Sequence, residues 1–370
     1  MLKLRLFRNL ENQALTFPPE GVAIVGANAQ GKSNLLEAIY YLETFRSFRG
    51  ARAEHLIAFG EDTFRVSGEI DCVEDGETRA IEIAAAYEGS SRRRKVTIDG
   101  MEPARIGDAI GHLGAVVFSP ADVMIVNEGP AGRRRFLDIV LSLNQEGYLR
   151  SLQEFRHVLG QRNAALRSGR SDSEIRAWDD ALARRAAPVM SARHTWVTQW
   201  GEAFRGYYEA VSGGPSASMT YEPKVAVVEW EEEAVYQACL AALQEGWSRD
   251  VRRRSTGMGP HRDELRFALT DDESEVEMRQ FGSGGQIRTA ALALRLVEGD
   301  AVREARGSDP ILLLDDAFAE LDEGRRERVM RLMDQGPFGQ VIITAPKESD
   351  VSIQENSLLR WGIKDGRIYA

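Results

Sequence analysis

The sequence predicts an α/β fold: a head with a mixed sheet and an antiparallel β subdomain, interrupted by an inserted, compact helical lobe. Three observations predict it. Val22-Ala23-Ile24-Val25 is a short buried-strand run that enters a glycine-rich turn and then a helical pattern. Two more apolar runs, Ile311 to Leu314 and Val341 to Ile343, lie far along the chain and suit strands covered on both faces. Between these ends, a long stretch rich in Ala, Leu, Arg, Gln and Glu carries i, i+3, i+4 apolar spacing. The composition permits such a molecule. Of 370 residues, 43% are hydrophobic and 28% charged, which belongs to a folded globular chain long enough to bury a core. The net charge of −10 argues against a uniformly basic nucleic-acid coat but leaves room for a local basic face.

The elements follow in order. Ser33 to Leu42 reads as a helix with Leu35, Leu36, Ile39 and Leu42 on one face. Phe64, Val66, Gly68, Ile70 and Cys72 alternate with polar residues, as do Ile81, Ile83, Ala85 and Tyr87. These are half-buried antiparallel strands, with Asp75-Gly76 as the turn between them. Val96 and Ile98 lead to Asp99-Gly100, a second hairpin signal. Phe136, Leu137, Val140, Leu141 and Leu143 exemplify the helical zone, and Ser212-Gly213-Gly214-Pro215 breaks it. Tyr221 to Trp230 is a candidate short strand. Leu265, Phe267 and Leu269 alternate again. The expected division is a head from residues 1–120 and 257–370, with the helical lobe at 121–256. No run of ~18 apolar residues occurs, so no membrane span is expected. The charged N-terminus lacks an apolar signal core, and Cys72 and Cys239 make neither a disulfide framework nor a zinc site. A reducing cytoplasm is the expected setting.

Gly26-Ala27-Asn28-Ala29-Gln30-Gly31-Lys32-Ser33 fits G-x-x-x-x-G-K-[ST] at every fixed position, with a strand before it and a helix after it, Asn34 being the next residue. Glycines let the backbone wrap phosphate oxygens, and the helix N-terminus adds positive potential. Lys32 should reach the β- and γ-phosphates, and Ser33 should ligate Mg²⁺. Ile311 to Leu314 ends in Asp315-Asp316. Ligands gather at the C-terminal ends of strands in such sheets. Asp315 fits the Walker-B role of holding the Mg²⁺ shell, and Asp316 is placed to orient or deprotonate an attacking water. A helix-capping Asp pair is the plainer reading of the same residues.

Ser283-Gly284-Gly285-Gln286 opens a helical run from Ile287 to Val302. A serine and two glycines at a helix start make a second anion cradle, which one P-loop does not need. An N-capped helix is the alternative. The segment resembles the signature of ABC-type ATPases. That resemblance implies an ABC-type P-loop ATPase head and a dimer closing around two ATP molecules. Ala317-Phe318-Ala319-Glu320-Leu321-Asp322 is similar to the D-loop, and Val341-Ile342-Ile343-Thr344-Ala345 to the switch strand. Transporter-type members carry a His where this chain has Ala345, so its γ-phosphate sensor differs or its turnover is slow. No Q-loop glutamine stands near Ser119-Pro120, which leaves Ser119 and Asp122 as alternatives there.

The stretch from Lys32 to Asp315 is too long for a compact transporter ATPase. That from Pro120 to Gly259 is too short for long coiled-coil arms, and it holds no sustained heptads. Arg46-Ser47-Phe48-Arg49, the segments Gly129 to Asp138 and Gly259 to Leu265, Leu314-Asp315-Asp316 and Glu320-Leu321-Asp322 together resemble the RecF recombination-repair family over essentially the whole chain. Ala121 and Gly284 depart from that pattern. The resemblance implies a DNA-binding ATPase at single-strand gaps and stalled forks, partnered by RecR and, with RecO, promoting RecA loading. An ATP-binding scaffold or adaptor without meaningful hydrolysis is the alternative, and a transporter-coupling subunit a weaker third.

Arg92-Arg93-Arg94-Lys95, Arg133-Arg134-Arg135 and Arg252-Arg253-Arg254 stand out against the acidic total. Arginine forks suit phosphates. Arg92 to Lys95, near a hairpin tip, is the better DNA candidate, while Arg133 and Arg134 have a structural alternative at the lobe junction. His261 has no second His or Cys nearby, so it is read as a structural hydrogen-bonding residue and not as a metal ligand.

Overall fold

A computed structural model of the chain describes residues 1–74, 77–270, 275–316, 321–336, 338–347 and 358–369. The chain divides into two compact units, Met1–Asp122 with Glu298–Ala370, and Val123–Val297.

The first unit starts with strands β1 (Leu2–Arg5), β2 (Gln13–Leu15) and β3 (Gly21–Val25), then helix α1 (Lys32–Thr44). Strands β4 (Thr63–Glu74), β5 (Glu77–Glu88), β6 (Arg93–Ile98) and β7 (Ala115–Phe118) follow. The expected Asp75-Gly76 turn lies outside the described residues. Asp99 and Gly100, with φ of 50° and 78°, turn the chain between Ile98 and Met101, as their Asp-Gly pattern requires.

The second unit carries α2 (Val123–Asn127), α3 (Pro130–Asn144), α4 (Tyr148–Ser168), α5 (Asp172–Arg176), α6 (Asp179–Ser212), β8 (Ser216–Glu222), α7 (Glu232–Glu245) and α8 (Trp247–Arg253). Strands β9 (Glu264–Thr270) and β10 (Glu275–Glu277), helix α9 (Met278–Phe281) and helix α10 (Gly284–Arg306) come next. The chain finishes in the first unit with β11 (Ile311–Asp315), α11 (Glu323–Gln335), β12 (Val341–Ala345), β13 (Leu359–Lys364) and β14 (Arg367–Tyr369).

Two sheets organise the first unit. One is mixed, in the order β14-β13-β3-β12-β11-β7, with only β14 antiparallel to its neighbour. Its central strands β3, β12 and β11 are apolar but for Thr344 and Asp315 near their C-terminal ends, because both faces are covered. The other is antiparallel, in the order β2-β1-β4-β5-β6. Helix α1 packs on both, and an aromatic cluster fills the space on its antiparallel side. Phe7 meets Phe64 edge-on at 5.2 Å, and Tyr41 meets Phe64 at 5.4 Å. Gly68 lets the strand and helix approach closely, since a Cβ there would lie 2.7 Å from Leu42 Cδ1 and push that side chain aside. The expected fold class, an α/β head with a mixed sheet, an antiparallel subdomain and a helical insertion, is observed.

The second unit differs from expectation in two places. The strand expected at Tyr221 to Trp230 is Ser216–Glu222, and Pro223, which has no N–H to give a ladder, ends it. Residues 257–297, expected in the head, belong to this unit. The reason is strand pairing: β8 runs against β9 from Ser216 opposite Thr270 to Glu222 opposite Glu264. The strings Gly129 to Asp138 and Gly259 to Leu265 meet inside the unit. Buried Arg133 forms a two-pronged pair with Glu264 at 2.7 and 3.0 Å. Buried Arg193 donates to Asp138 at 2.7 Å and to Pro260 O at 2.6 Å. Arg162, fully buried, donates to Asp179, Asp250 and Thr256, each at 2.8 Å.

Candidate nucleotide site

The loop from Gly26 to Gly31 leaves β3 at its C-terminal end and delivers the chain to α1. Gly26 N donates to Ala345 O at 3.2 Å, so the loop starts against the end of β12. A Cβ on Gly26 would lie 2.5 Å from Ile363 O. Gly31 has φ +114°, and a Cβ there would lie 2.9 Å from Leu10 Cδ2. Only glycine fits either position. Ala27, Asn28 and Ala29 are exposed at the mouth. Lys32, 4% exposed, folds its ammonium over the loop and donates to Gly26 O at 2.8 Å and Ala27 O at 3.2 Å. An entering phosphate would take over a cation already held in place.

The second wall is the strand end. Ser33 Oγ donates to Asp315 Oδ1 at 2.7 Å. Thr344 Oγ1 lies 3.2 Å from both Asp315 Oδ1 and Leu314 O, and accepts from Asp316 N at 3.1 Å. Register explains the meeting, because Asp315 and Ile24 both lie opposite Thr344 in neighbouring parallel strands. Burial pushes the Asp315 carboxyl up, while hydrogen bonds from Ser33 and Thr344 and the charges of Arg49 and Lys32 pull it down. A hydroxyl and a buried carboxylate at hydrogen-bond distance are hard oxygen donors, which fit Mg²⁺. Asp316 takes φ 46°, a left-handed conformation uncommon outside glycine, directly after Asp315. Strain of this kind gathers at functional sites.

Several bracing residues carried no role in the sequence. Asn34 Nδ2 donates to Asn9 Oδ1 at 2.7 Å, and Arg49 Nη1 to Asn34 Oδ1 at 3.0 Å. Asp365 N donates to Gln30 Oε1 at 2.6 Å, and Gly366 N to Gln30 O at 3.0 Å. Buried Glu37 accepts from Arg8 at 2.9 and 3.0 Å and from Ser47 Oγ, which shapes the turn carrying Arg49. The Asp365-Gly366 pair was a readable turn signal. Asn9 left no signal at all.

The remaining residues sort as follows. Asp122 accepts from Ser119 N at 2.7 Å and donates its N–H to Ser119 O at 3.0 Å, which closes a turn. Ser283 and Gln286 form a capping box at the start of α10, with N–H to Oε1 at 2.8 Å and N–H to Oγ at 3.3 Å. Ser283 and Gly284 are exposed, and nothing lies within 4 Å of a Cβ built on Gly284. Residues 317–320 of the expected D-loop lie outside the described residues, and Asp322 caps α11 through Arg325 N at 3.0 Å. His261 Nε2 meets Thr256 O at 3.1 Å, and burial pushes its ring down to about 4. No cluster able to hold a metal by His, Cys, Asp and Glu alone occurs among the described residues. None of their helices is long and apolar enough to cross a membrane.

The model of the RecF/RecN/SMC N terminal domain matches residues 1–361. A "DNA replication and repair protein RecF" from Cyanothece sp. is 35% identical over 349 residues, 93% of this chain and 90% of the relative. One of the same name from Gloeobacter violaceus is 36% identical over 335 residues, 89% of this chain and 87% of the relative.

The chain belongs to the RecF family.

A solved structure of "the recombination mediator protein RecF-ATP in RecFOR pathway" superposes with a TM-score of 0.88 at 30% identity, covering 99% of this chain and 95% of that one. An Smc head solved with the C-winged helix domain of ScpA reaches 0.57 at 17% identity, covering 100% and 95%, which shows the shared head fold alone. The RecF resemblance seen in the sequence is therefore confirmed, and the fold is that of ABC-type ATPase heads. The basic runs of this RecF-family chain part ways. Arg133 is buried against Glu264, and Arg134 donates to Asp263 O at 2.8 Å, so both are structural. Arg252, Arg253 and Arg254 are exposed at the end of α8. Arg92, Arg93 and Lys95 are exposed at the β5–β6 hairpin, with Lys95 paired to Glu102 at 2.9 Å, while Arg94 turns inward.

Proposed function

We propose that the chain binds ATP with Mg²⁺ at its P-loop and uses the terminal phosphate to join two copies on DNA, hydrolysis then releasing them. Gly26, Ala27, Asn28, Ala29, Gln30, Gly31 and Asn34 form the cradle, and Lys32 carries the β- and γ-phosphate charge. Ser33 and Asp315 hold the cation, which when bound shields phosphate charge. Asp316 orients or deprotonates the attacking water. The exposed Ser283-Gly284-Gly285-Gln286 helix start meets the terminal phosphate on a second copy. DNA, duplex or at gapped and single-stranded junctions, contacts Arg92, Arg93 and Lys95. The names of the relatives support DNA replication and repair within a RecFOR pathway as the setting; a cytoplasmic location and RecR, RecO and RecA as partners belong to the same proposal.

The observation that carries this reading is the 2.7 Å contact between Ser33 and Asp315 beside the Lys32 ammonium. Sedimentation with and without ATP and duplex DNA tests it. Wild type should shift from monomer to dimer, Lys32→Ala should stay monomeric, and Asp316→Asn should bind ATP and accumulate as dimer. A monomer under every condition would sink the dimer. Normal turnover by Asp316→Asn would remove that carboxylate from the base role. A second reading, an ATP-binding scaffold with negligible hydrolysis, is favoured by Ala345, which offers the site only its backbone carbonyl. DNA-stimulated phosphate release separates the two.

A further inference from the structure

We propose that Arg94 is a positioning residue that relays DNA occupancy of the β5–β6 hairpin to the P-loop helix. It rests on the reading that DNA contacts this hairpin. Strand alternation separates the run. Arg93 and Lys95, opposite Glu88 and Ala86, are exposed, whereas Arg94, opposite Tyr87, is half-buried. Its guanidinium carbon lies 5.9 Å from the centroid of the Tyr41 ring. Tyr41 is wholly buried and belongs to α1, about 13 Å along that helix from Lys32. The ring also meets Phe64 at 5.4 Å, Phe7 at 6.3 Å and Phe45 at 6.4 Å, and Phe64 stacks on Tyr87 at 6.1 Å. A shift of β6 thus reaches α1 through packed rings.

The nature of the seat matters. The other arginines that enter this core are held by carboxylates, Arg8 by Glu37 at 2.9 Å and Arg306 by Glu43 at 2.9 Å. Arg94 is seated on Tyr41 itself, its charge acting on the hydroxyl beside the ring, and its Nε has no partner among the described residues. A guanidinium seated on one tyrosine passes a displacement of its own strand to that ring and to the helix carrying it. Phosphates engaging Arg93 and Lys95 load that strand from the solvent side. The relay needs one contact that both sites bias, and the Arg94–Tyr41 seat is the contact assigned that role.

Hydrogen exchange of the α1 amides, read with and without a short duplex oligonucleotide and in the absence of nucleotide, tests the relay on the monomer. In wild type, saturating duplex should change α1 exchange by about three-fold or more. Arg94→Leu should bind the duplex within about two-fold of wild type and show no α1 response. If the leucine variant does not fold, Arg94→Gln serves, because it keeps a polar side chain and removes the cation from the Tyr41 ring. Arg93→Ala with Lys95→Ala should weaken duplex binding about ten-fold or more. An α1 helix indifferent to bound duplex in wild type, or still responsive without Arg94, overturns the relay. Unchanged duplex affinity in the Arg93/Lys95 double variant overturns the hairpin reading first, and the relay with it.

Discussion

Asp315 shows what one buried carboxylate contributes before its cation arrives. Its pKa is raised by burial, so between the unfolded and folded values the native state holds a proton that the unfolded chain has lost. Its contribution therefore falls as pH rises through that window, and a bound cation reverses the sign by favouring the ionised form. Asp315→Asn should raise the apo melting temperature by about 2 °C at neutral pH and remove the stabilisation that Mg²⁺ adds with ATP. Thermal melts of both proteins with and without Mg²⁺ check it, and an unchanged Mg²⁺ response in the variant would place the cation elsewhere. Gly31→Ala forces a side chain into φ +114° against Leu10, so it should cost about 2 kcal/mol and at least about ten-fold in ATP affinity, measurable by chemical denaturation and titration. The phosphate loop was legible because its parts are contiguous. Asn9, Arg49 and Asp365 were not, since they reach it from three distant segments and their residue types say nothing about destination.

At the scale of elements, buried arginines fix how the helices of the second unit meet. Arg162 sits between α6, α8 and Thr256 with two carboxylates and no exposure. Arg162→Ala would leave Asp179 and Asp250 buried without their cation, so it should destabilise by about 4 kcal/mol. Chemical denaturation reads this directly, and a loss under about 1 kcal/mol would mean that water replaces the guanidinium. The strand misplaced at Tyr221 to Trp230 has a simple cause. Val225, Val227 and Trp230 look strand-like, yet they serve as packing residues of a loop, and β8 ends at Glu222 just ahead of Pro223. Periodicity reports burial, and burial does not require a strand.

The whole molecule is divided differently from its sequence pattern. A strand pattern after Gly257 looked like a return to the head, but pairing with β8 keeps it in Val123–Val297. Composition shifts mark helices and strands; they do not mark which sheet a strand joins. A chain with two compact units need not unfold in one step. MgADP, which lacks the terminal phosphate, should raise the transition of the P-loop unit by an amount that follows ligand concentration, about 2.7 kcal/mol at one hundred times the dissociation constant. Calorimetry at several ADP concentrations checks it, and an insensitive profile would exclude ADP binding to the native state.

The Gln30 brace has one more consequence. Its partner, Asp365, lies 335 positions further along the chain. During synthesis the phosphate cradle and its Asn9 and Arg49 braces emerge early, and the turn that holds Gln30 is made long afterwards. A chain that stops short of that turn therefore lacks the two hydrogen bonds that hold Gln30 from the far end of the sequence.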